Sequence, residues 1–425
     1  MKKLFCWAAL AVLLTLAASG PVPSVSAEKA ATFADGPYDY SLRQDGTAEI
    51  INYRGSEEEL AIPSALNGHA VTAIGAEAFS YCVGLTDVTI PDGVTAIGEA
   101  AFSGCKSLTG LTIPGSVTAI GDYAFSYCTG LTGVTIPDGV TAIGDQAFSG
   151  CSSLTIVTIP DSVTEMGANP FEECKKLMDI VVSPDHSYLA VIDGVLFSKP
   201  DKRLISYPRA LNGEVYAIPE GTLTIGDCAF FWCDSLTGVT IPDSVTAIGN
   251  GAFQWCRGLK NIAIPDGVTE IGDYAFSRCE SLTDVTIPNG VTAIGISVFE
   301  SCRSLTDVTI PDSVTSLGEG AFSYCYFLTN VTIPGSVTAI GEQAFFNCER
   351  LTDMTIPDGV TAIGDKAFCA CYSLTNVTIP DSVTAIGAHA FSDCDDLTLT
   401  VARGSYAEQY CKKNKLKFRY AGALN

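Results

Sequence analysis

The sequence predicts a β-rich α/β solenoid built from 23-residue units, each with short strands and one helical turn. Three observations carry this reading. LTDVTIPDGVTAIGEAAFSGCKS at 85–107 nearly repeats at 108–130 and again at 131–153. Cysteines stand 23 residues apart from Cys82 to Cys174 and again from Cys233 to Cys394, each shortly after a Phe. That register breaks once, where 59 residues separate Cys174 from Cys233. A fixed period of this size marks units that stack on their neighbours and bury one continuous core. The 425 residues would otherwise suggest two or three globular domains.

The chain opens with Lys2 and Lys3, an apolar run from Leu4 to Ala18, and small residues ending at Val25-Ser26-Ala27. This reads as a signal peptide over 1–27, cleaved after Ala27. No later apolar run is long enough to span a bilayer, and neither a lipid-attachment cysteine nor a C-terminal anchor is evident. The expectation is an exported protein without membrane insertion, secreted or held at a cell surface. Beyond residue 27 the chain has 22 basic against 47 acidic residues. That balance argues against nucleic acid or anionic membrane as partner, because phosphate binding needs clustered Lys and Arg. Nearly half of the acidity recurs at fixed repeat positions, so it has a local structural cause.

Residues 28–66 read as an N-terminal β cap. Tyr38–Leu42 and Thr47–Ile51 alternate around Asp45-Gly46, a hairpin signal. An open first unit needs such a cover. The first block of repeats is placed at 67–174. In the unit at 85–107, Asp87–Ile90 is a short strand with Val88 and Ile90 inward, and Pro91-Asp92-Gly93 turns the chain. Val94–Ile97 is a second extended segment. Gly98 frees the backbone, and the acidic residue after it caps a helical turn holding Ala101, Phe102 and Cys105.

The extra 36 residues lie in a stretch placed at 175–217. Ala190–Ile192 and Val195–Phe197 flank Asp193-Gly194, which predicts a β-hairpin projecting from the stack. Lys199, Lys202, Arg203 and Arg209 make it a basic island. A second block of repeats follows at 218–400. A C-terminal cap at 401–425 holds a short helix from Ser405 and a last strand over Lys415–Tyr420.

The consensus L-T-x-V-T-I-P-x-x-V-T-x-I-G-x-x-A-F-x-x-C resembles the BspA-type leucine-rich repeat of bacterial secreted and surface proteins. Asp193–Phe197 and Gly404–Ala407 also look like that family. The likeness covers roughly 38–420. It implies a curved leucine-rich-repeat stack, and binding or adhesion to host matrix proteins, host cells or other microbes.

Little in the sequence points to catalysis. His69, His186 and His389 are scattered, and no nucleophile elbow, P-loop or zinc-protease motif is present. No cofactor and no metal site is read. The cysteine column suits buried thiols packing as small hydrophobes, since parallel side chains in a ladder point the same way. Cys228, Cys369 and Cys411 lie off the column, and their pairing stays open. The Asp column after Pro has a turn explanation ahead of a calcium one. The Thr columns suit narrow strands better than an ice-binding face.

The aromatics outside the Phe column are the candidate partner-binding residues. Trp232, Trp255 and Tyr324 occupy equivalent positions, and Phe231, Tyr326, Phe327, Phe346 and Tyr372 adjoin them near the Cys. Equivalent positions elsewhere include Ser, Gly, Lys and Glu, so the core does not demand rings there. Large rings on a solvent-facing ridge anchor protein or glycan partners, and local packing between turns is the plainer explanation. The reading is a non-enzymatic binding protein whose partner is a host matrix or cell-surface protein, or a glycan. The alternative is a carbohydrate-binding accessory or structural surface component.

Overall fold

The computed structural model describes residues 31–211 and 213–422; the predicted signal segment lies outside them. Each unit is a three-walled coil. In the first wall, strands such as Asp87–Thr89 and Gly110–Thr112 pair in parallel and in register, Val88 opposite Leu111. In the second, two-residue strands such as Ala96–Ile97 and Ala119–Ile120 do the same. Parallel strands one unit apart need only the 23-residue return of the coil, so register is set by unit length.

The third wall corrects the expected helical turn. It is a run of turns, and the single α-helix among the described residues is Tyr406–Asn414. Ala100 and Gly104 take left-handed φ of +50° and +73°. Alternate N–H groups therefore point along the solenoid axis. Ala100, Phe102 and Gly104 donate to Asp122, Ala124 and Ser126 of the next unit at 2.7–2.8 Å, while Ala101, Ser103 and Cys105 bond back within their own turn. Every N–H from Ala100 to Cys105 is thus paired without a helix.

Inside, the Phe column forms an aromatic spine. Phe79 and Phe102 stack at 4.9 Å and 6°, Phe253 and Phe276 at 5.3 Å and 3°. Tyr53 packs tilted against Phe79 at one end and Tyr410 meets Phe391 edge-on at the other, so each cap supplies a closing ring. Glycines after Ile sit where rungs touch backbone to backbone. A β-carbon at Gly98 would lie 2.8 Å from the Gly75 carbonyl carbon.

The acidic residue after that glycine has a different role from the predicted cap. Asp122 Oδ1 accepts from Asp145 N at 2.8 Å, and Asp145 Oδ1 from Ala168 N at 2.7 Å. The carboxylate ties one rung to the next.

Both terminal caps match their sequence signals. Tyr38–Leu42 and Ala48–Tyr53 form the hairpin, preceded by Thr32–Asp35, and Ala48–Tyr53 starts the second wall by pairing with His69–Ile74. Ser405 accepts from Glu408 N to cap the helix. Phe418–Tyr420 then closes the first wall on Thr398–Val401.

The insertion does not project. Leu189–Ile192, Val195–Ser198 and Arg203–Ser206 form a three-stranded antiparallel sheet, whose last strand pairs in parallel with Thr224–Ile225. Every residue of Val195–Ser198 is buried. Side chains alternate between faces, and here each face belongs to a different core. Leu189, Leu196 and Ile205 join the first block, whereas Val195, Phe197 and Leu204 join the second. The hairpin expected from Asp193-Gly194 is present, but it is the edge of a septum. It is driven inward because both of its faces are apolar, and one face of a projecting hairpin would lie in water.

Candidate binding surface on the turn wall

The candidate surface is built on the residue immediately before each column cysteine. That residue has a left-handed φ in all thirteen units, from Tyr81 at +57° to Asp393 at +57°. Gly104, Ser301 and Ala370 satisfy the same backbone position. The fold does not require a large ring there, and such a ring takes a conformation that bulky residues rarely adopt.

Trp232 and Trp255 occupy this position in successive units, at φ +57° and +64°. Their rings stack at 5.1 Å and 16°, and Phe231 meets Trp232 edge-on at 6.1 Å. Cations cover the outer faces. Arg209 lies 5.2 Å and Lys175 5.9 Å from the Trp232 ring, and Arg278 lies 4.4 Å and Arg257 4.8 Å from Trp255. Such contacts seat a cation against the ring, and Arg278 also lies 3.8 Å from Glu300. Carboxylates partly balance the patch: Arg209 pairs with Asp234 at 3.0 Å, and Glu280 lies 3.8 Å from Arg257 and 3.7 Å from Arg303. Ten of the chain's 24 basic residues fall between 175 and 303.

A second cluster gathers further along. Tyr324 meets Tyr326 at 6.2 Å and Phe346 at 5.2 Å, both edge-on. Arg350 stands 4.0 Å over Phe327, and Arg303 5.8 Å from Tyr326. Phe327 and Tyr372 are well exposed, at 42% and 49%, while the other six predicted residues are half-buried. The eight residues thus form two groups, separated by the rungs of Arg278 and Ser301, with Tyr372 apart.

Two rings in the same column escaped the sequence reading. Tyr81 and Tyr127 stand immediately before Cys82 and Cys128 and are 64% and 49% exposed. The column register was the available signal. The Trp pair and its neighbours drew attention to the second block alone.

Beneath the Trp ladder, the first block abuts the second directly on this wall. Asn169 Nδ2 donates to Cys228 O at 2.7 Å. Glu172 is buried here, and burial, then the charge of Glu173, pushes its carboxyl up to about 8. Among the described residues, no group of His, Cys, Asp and Glu is arranged to hold a metal ion. No described helix is long and apolar enough to cross a membrane.

A solenoid with this repeat and this variable outer wall is a repeat scaffold that presents side chains on a regular lattice. The BspA type leucine rich repeat region matches residues 70–198, 210–328 and 317–411, in six copies. The chain belongs to that family. No curated protein matches it. Among solved structures it is similar to a leucine-rich repeat protein from Eubacterium ventriosum, at 28% identity and a TM-score of 0.67, covering 82% of this chain and 96% of that one. A leucine-rich repeat protein from Bacteroides ovatus is 31% identical, with a TM-score of 0.53 over 92% of this chain and 99% of that one. The pneumococcal vaccine antigen PcpA shares the fold at 19% identity, with a TM-score of 0.54, over 93% of this chain and 99% of that one.

Proposed function

We propose that the protein is an exported, non-enzymatic binding protein that adheres to a host matrix or cell-surface protein, or to another microbe, through the Trp232–Trp255 ladder. The observation that carries this reading is that ladder's composition at a position the fold leaves free. Tryptophan and arginine dominate the energetics of protein interfaces, where stacked rings supply area and oriented guanidinium groups supply directed hydrogen bonds. The ladder's ring faces are already filled by each other and by cations, which favours a protein partner meeting ring edges and the mixed charges around them. Family membership supports the reading, because a repeat scaffold supplies extended surface.

The test is binding of the 28–425 chain to an array of matrix proteins and glycans, beside a Trp232→Ala/Trp255→Ala variant. Ala370 occupies the same backbone position, so the variant should fold. Saturable binding to a protein, weakened at least tenfold in the variant, supports the reading. Equal binding by both chains removes the ladder, and turnover of any ligand removes the non-enzymatic assignment.

A further inference from the structure

Tyr81 and Tyr127 differ from the Trp ladder in having one ring face covered and the other open. A β-carbon at Gly104 would stand 2.7 Å from Tyr81 Cδ1, 2.9 Å from Cε1 and 3.3 Å from Cγ. At Gly150 the distances to the same atoms of Tyr127 would be 2.6, 2.8 and 3.2 Å. Contacts this close to three consecutive ring carbons mean that each ring lies face-down over the glycine of the next rung. With one face on bare backbone, the exposures of 64% and 49% belong to the opposite face and the edges. No cation or second ring is stacked on either of them among the described residues. The column reads Tyr81, Gly104, Tyr127, Gly150. It is two flat rings, two rungs apart, or about 10 Å at the usual strand spacing.

The surroundings select among ligands. From residue 55 to 174 the chain has one Lys or Arg, Lys106, against 14 carboxylates. Asp122 and Asp145 lie close enough to act on Tyr123, and burial, then the charge of Glu173, holds the Tyr127 phenol up at about 12, so it stays protonated. A sulfated or carboxylated polymer meets repulsion here, and so does a nucleic acid, whose bases could stack but whose phosphates need cations. A neutral sugar meets neither obstacle. Its C–H face is the partner that the negative face of an aromatic ring accepts, and its hydroxyls donate to carboxylates. Two rings spaced along the stack fit a linear polymer.

We propose that Tyr81 and Tyr127 form a two-ring platform on which a neutral polysaccharide lies lengthwise along the first block. This site is separate from the Trp232–Trp255 ladder and stands or falls independently of it.

The experiment is affinity electrophoresis of the 28–425 chain through gels holding mixed-linkage β-glucan, galactomannan or arabinan, with heparin as the anionic comparison. Retardation by at least one neutral polysaccharide is expected. Tyr81→Ala and Tyr127→Ala should each weaken it roughly three- to tenfold, the range that one lost ring contact implies. Gly104→Ala and Gly150→Ala keep both tyrosines and a backbone that Ala370 shows alanine can take, yet lift the rings off the wall; they should weaken binding as well. Thermal melts of each variant, unchanged within a few degrees, separate lost binding from lost fold. Retardation by heparin alone, by none of the neutral polymers, or equally in the tyrosine or glycine variants overturns the proposal. Trp232→Ala/Trp255→Ala should leave the neutral-glycan retardation intact, whatever it does to protein binding.

Discussion

The thiol of Cys256 donates to the carbonyl oxygen of Phe230 at 2.9 Å, across one rung boundary. Cys105 does the same to Phe79 at 3.1 Å and Cys279 to Phe253 at 3.2 Å. The Phe79 carbonyl also accepts from Cys82 N at 3.2 Å, so both of its lone pairs are used. The cysteine column is therefore a ladder of buried donors. Burial pushes the thiols well up, as at Cys279 and Cys302, which keeps them protonated.

Cys279→Ala should accordingly cost about 1–3 kcal/mol, from the lost S–H bond and the small void left behind. Urea denaturation measures it as a lower midpoint with an unchanged slope. The same buried thiols should resist a thiol reagent in the folded chain and react fully in denaturant. A disulfide found between neighbouring column cysteines would contradict the ladder.

The rung-to-rung carboxylate gives a second prediction. Asp273 Oδ1 accepts from Ile296 N at 2.7 Å, and Asn250, one rung earlier in the same column, accepts from Asp273 N at 2.9 Å. The position needs an oxygen, not a charge. Asp273→Asn should leave stability within about 0.5 kcal/mol, whereas Asp273→Ala should lower it by about 1–2 kcal/mol through an unpaired amide. Equal losses for the two variants, by chemical denaturation, would mean that charge is what matters.

These details mark where sequence reading succeeds. The 23-residue period places the strands and the Phe column, because a period of stacked apolar residues has one compact solution, and the Asp45-Gly46 turn and the Ser405 helix signal place the two caps. In sequence the acidic column reads as a helix cap, since an acidic residue before an Ala-Phe stretch has that local meaning. Its true partner lies 23 residues away and is visible only once rungs are stacked; Asn250 was the hint that charge is dispensable. The septum was missed for a similar reason. Asp193-Gly194 gives the hairpin, but nothing local says that Leu196 and Phe197 face two different cores. The aromatic ridge was half legible. Column position found Trp232 and Trp255, but the flat seating of Tyr81 on Gly104 needs three dimensions.

Burial of Glu172 makes stability fall with rising pH. Its carboxyl titrates near 8 in the folded chain and near 4.5 when unfolded. Between those values the folded state holds a proton that the unfolded state has released, so stability declines as pH rises from about 4.5 to about 8 and is level above that. Glu172→Gln should remove this contribution and raise the melting temperature at pH 8 relative to wild type, with little difference at pH 4. A variant that melts lower than wild type at pH 8 would show that the ionised carboxylate has a partner in the joint.

Among the described residues, six of the eight buried side-chain groups with an unpartnered N or O flank this joint: Glu172, Ser198, Arg203, Arg209, Tyr216 and Asp234. One wall at a time, the strand ladders also break after Gly110–Thr112, Glu270–Ile271 and Asn330–Thr332, but here both walls break together. The first wall ends at Asp179–Val182 and resumes at Val215–Ala217, and the second ends at Glu165–Met166 and resumes with the septum. A chain with continuous ladders should unfold along its length, but this one has two cores facing a shared sheet. Leu196 is wholly buried against the first and Phe197 is buried against the second. Leu196→Ala should therefore cost about 2–4 kcal/mol, and Phe197→Ala about 3–5 kcal/mol, each borne mainly by one block. Hydrogen exchange reads the partition directly. Leu196→Ala should accelerate exchange in rungs such as Gly133–Thr135 and Ile156–Ile159, and Phe197→Ala in Gly238–Thr240 and Asn261–Ala263, with the other block protected. Uniform acceleration by either substitution would mean that the septum couples the blocks into one cooperative unit, since a sheet that insulates two cores confines each lesion to the core that it faces.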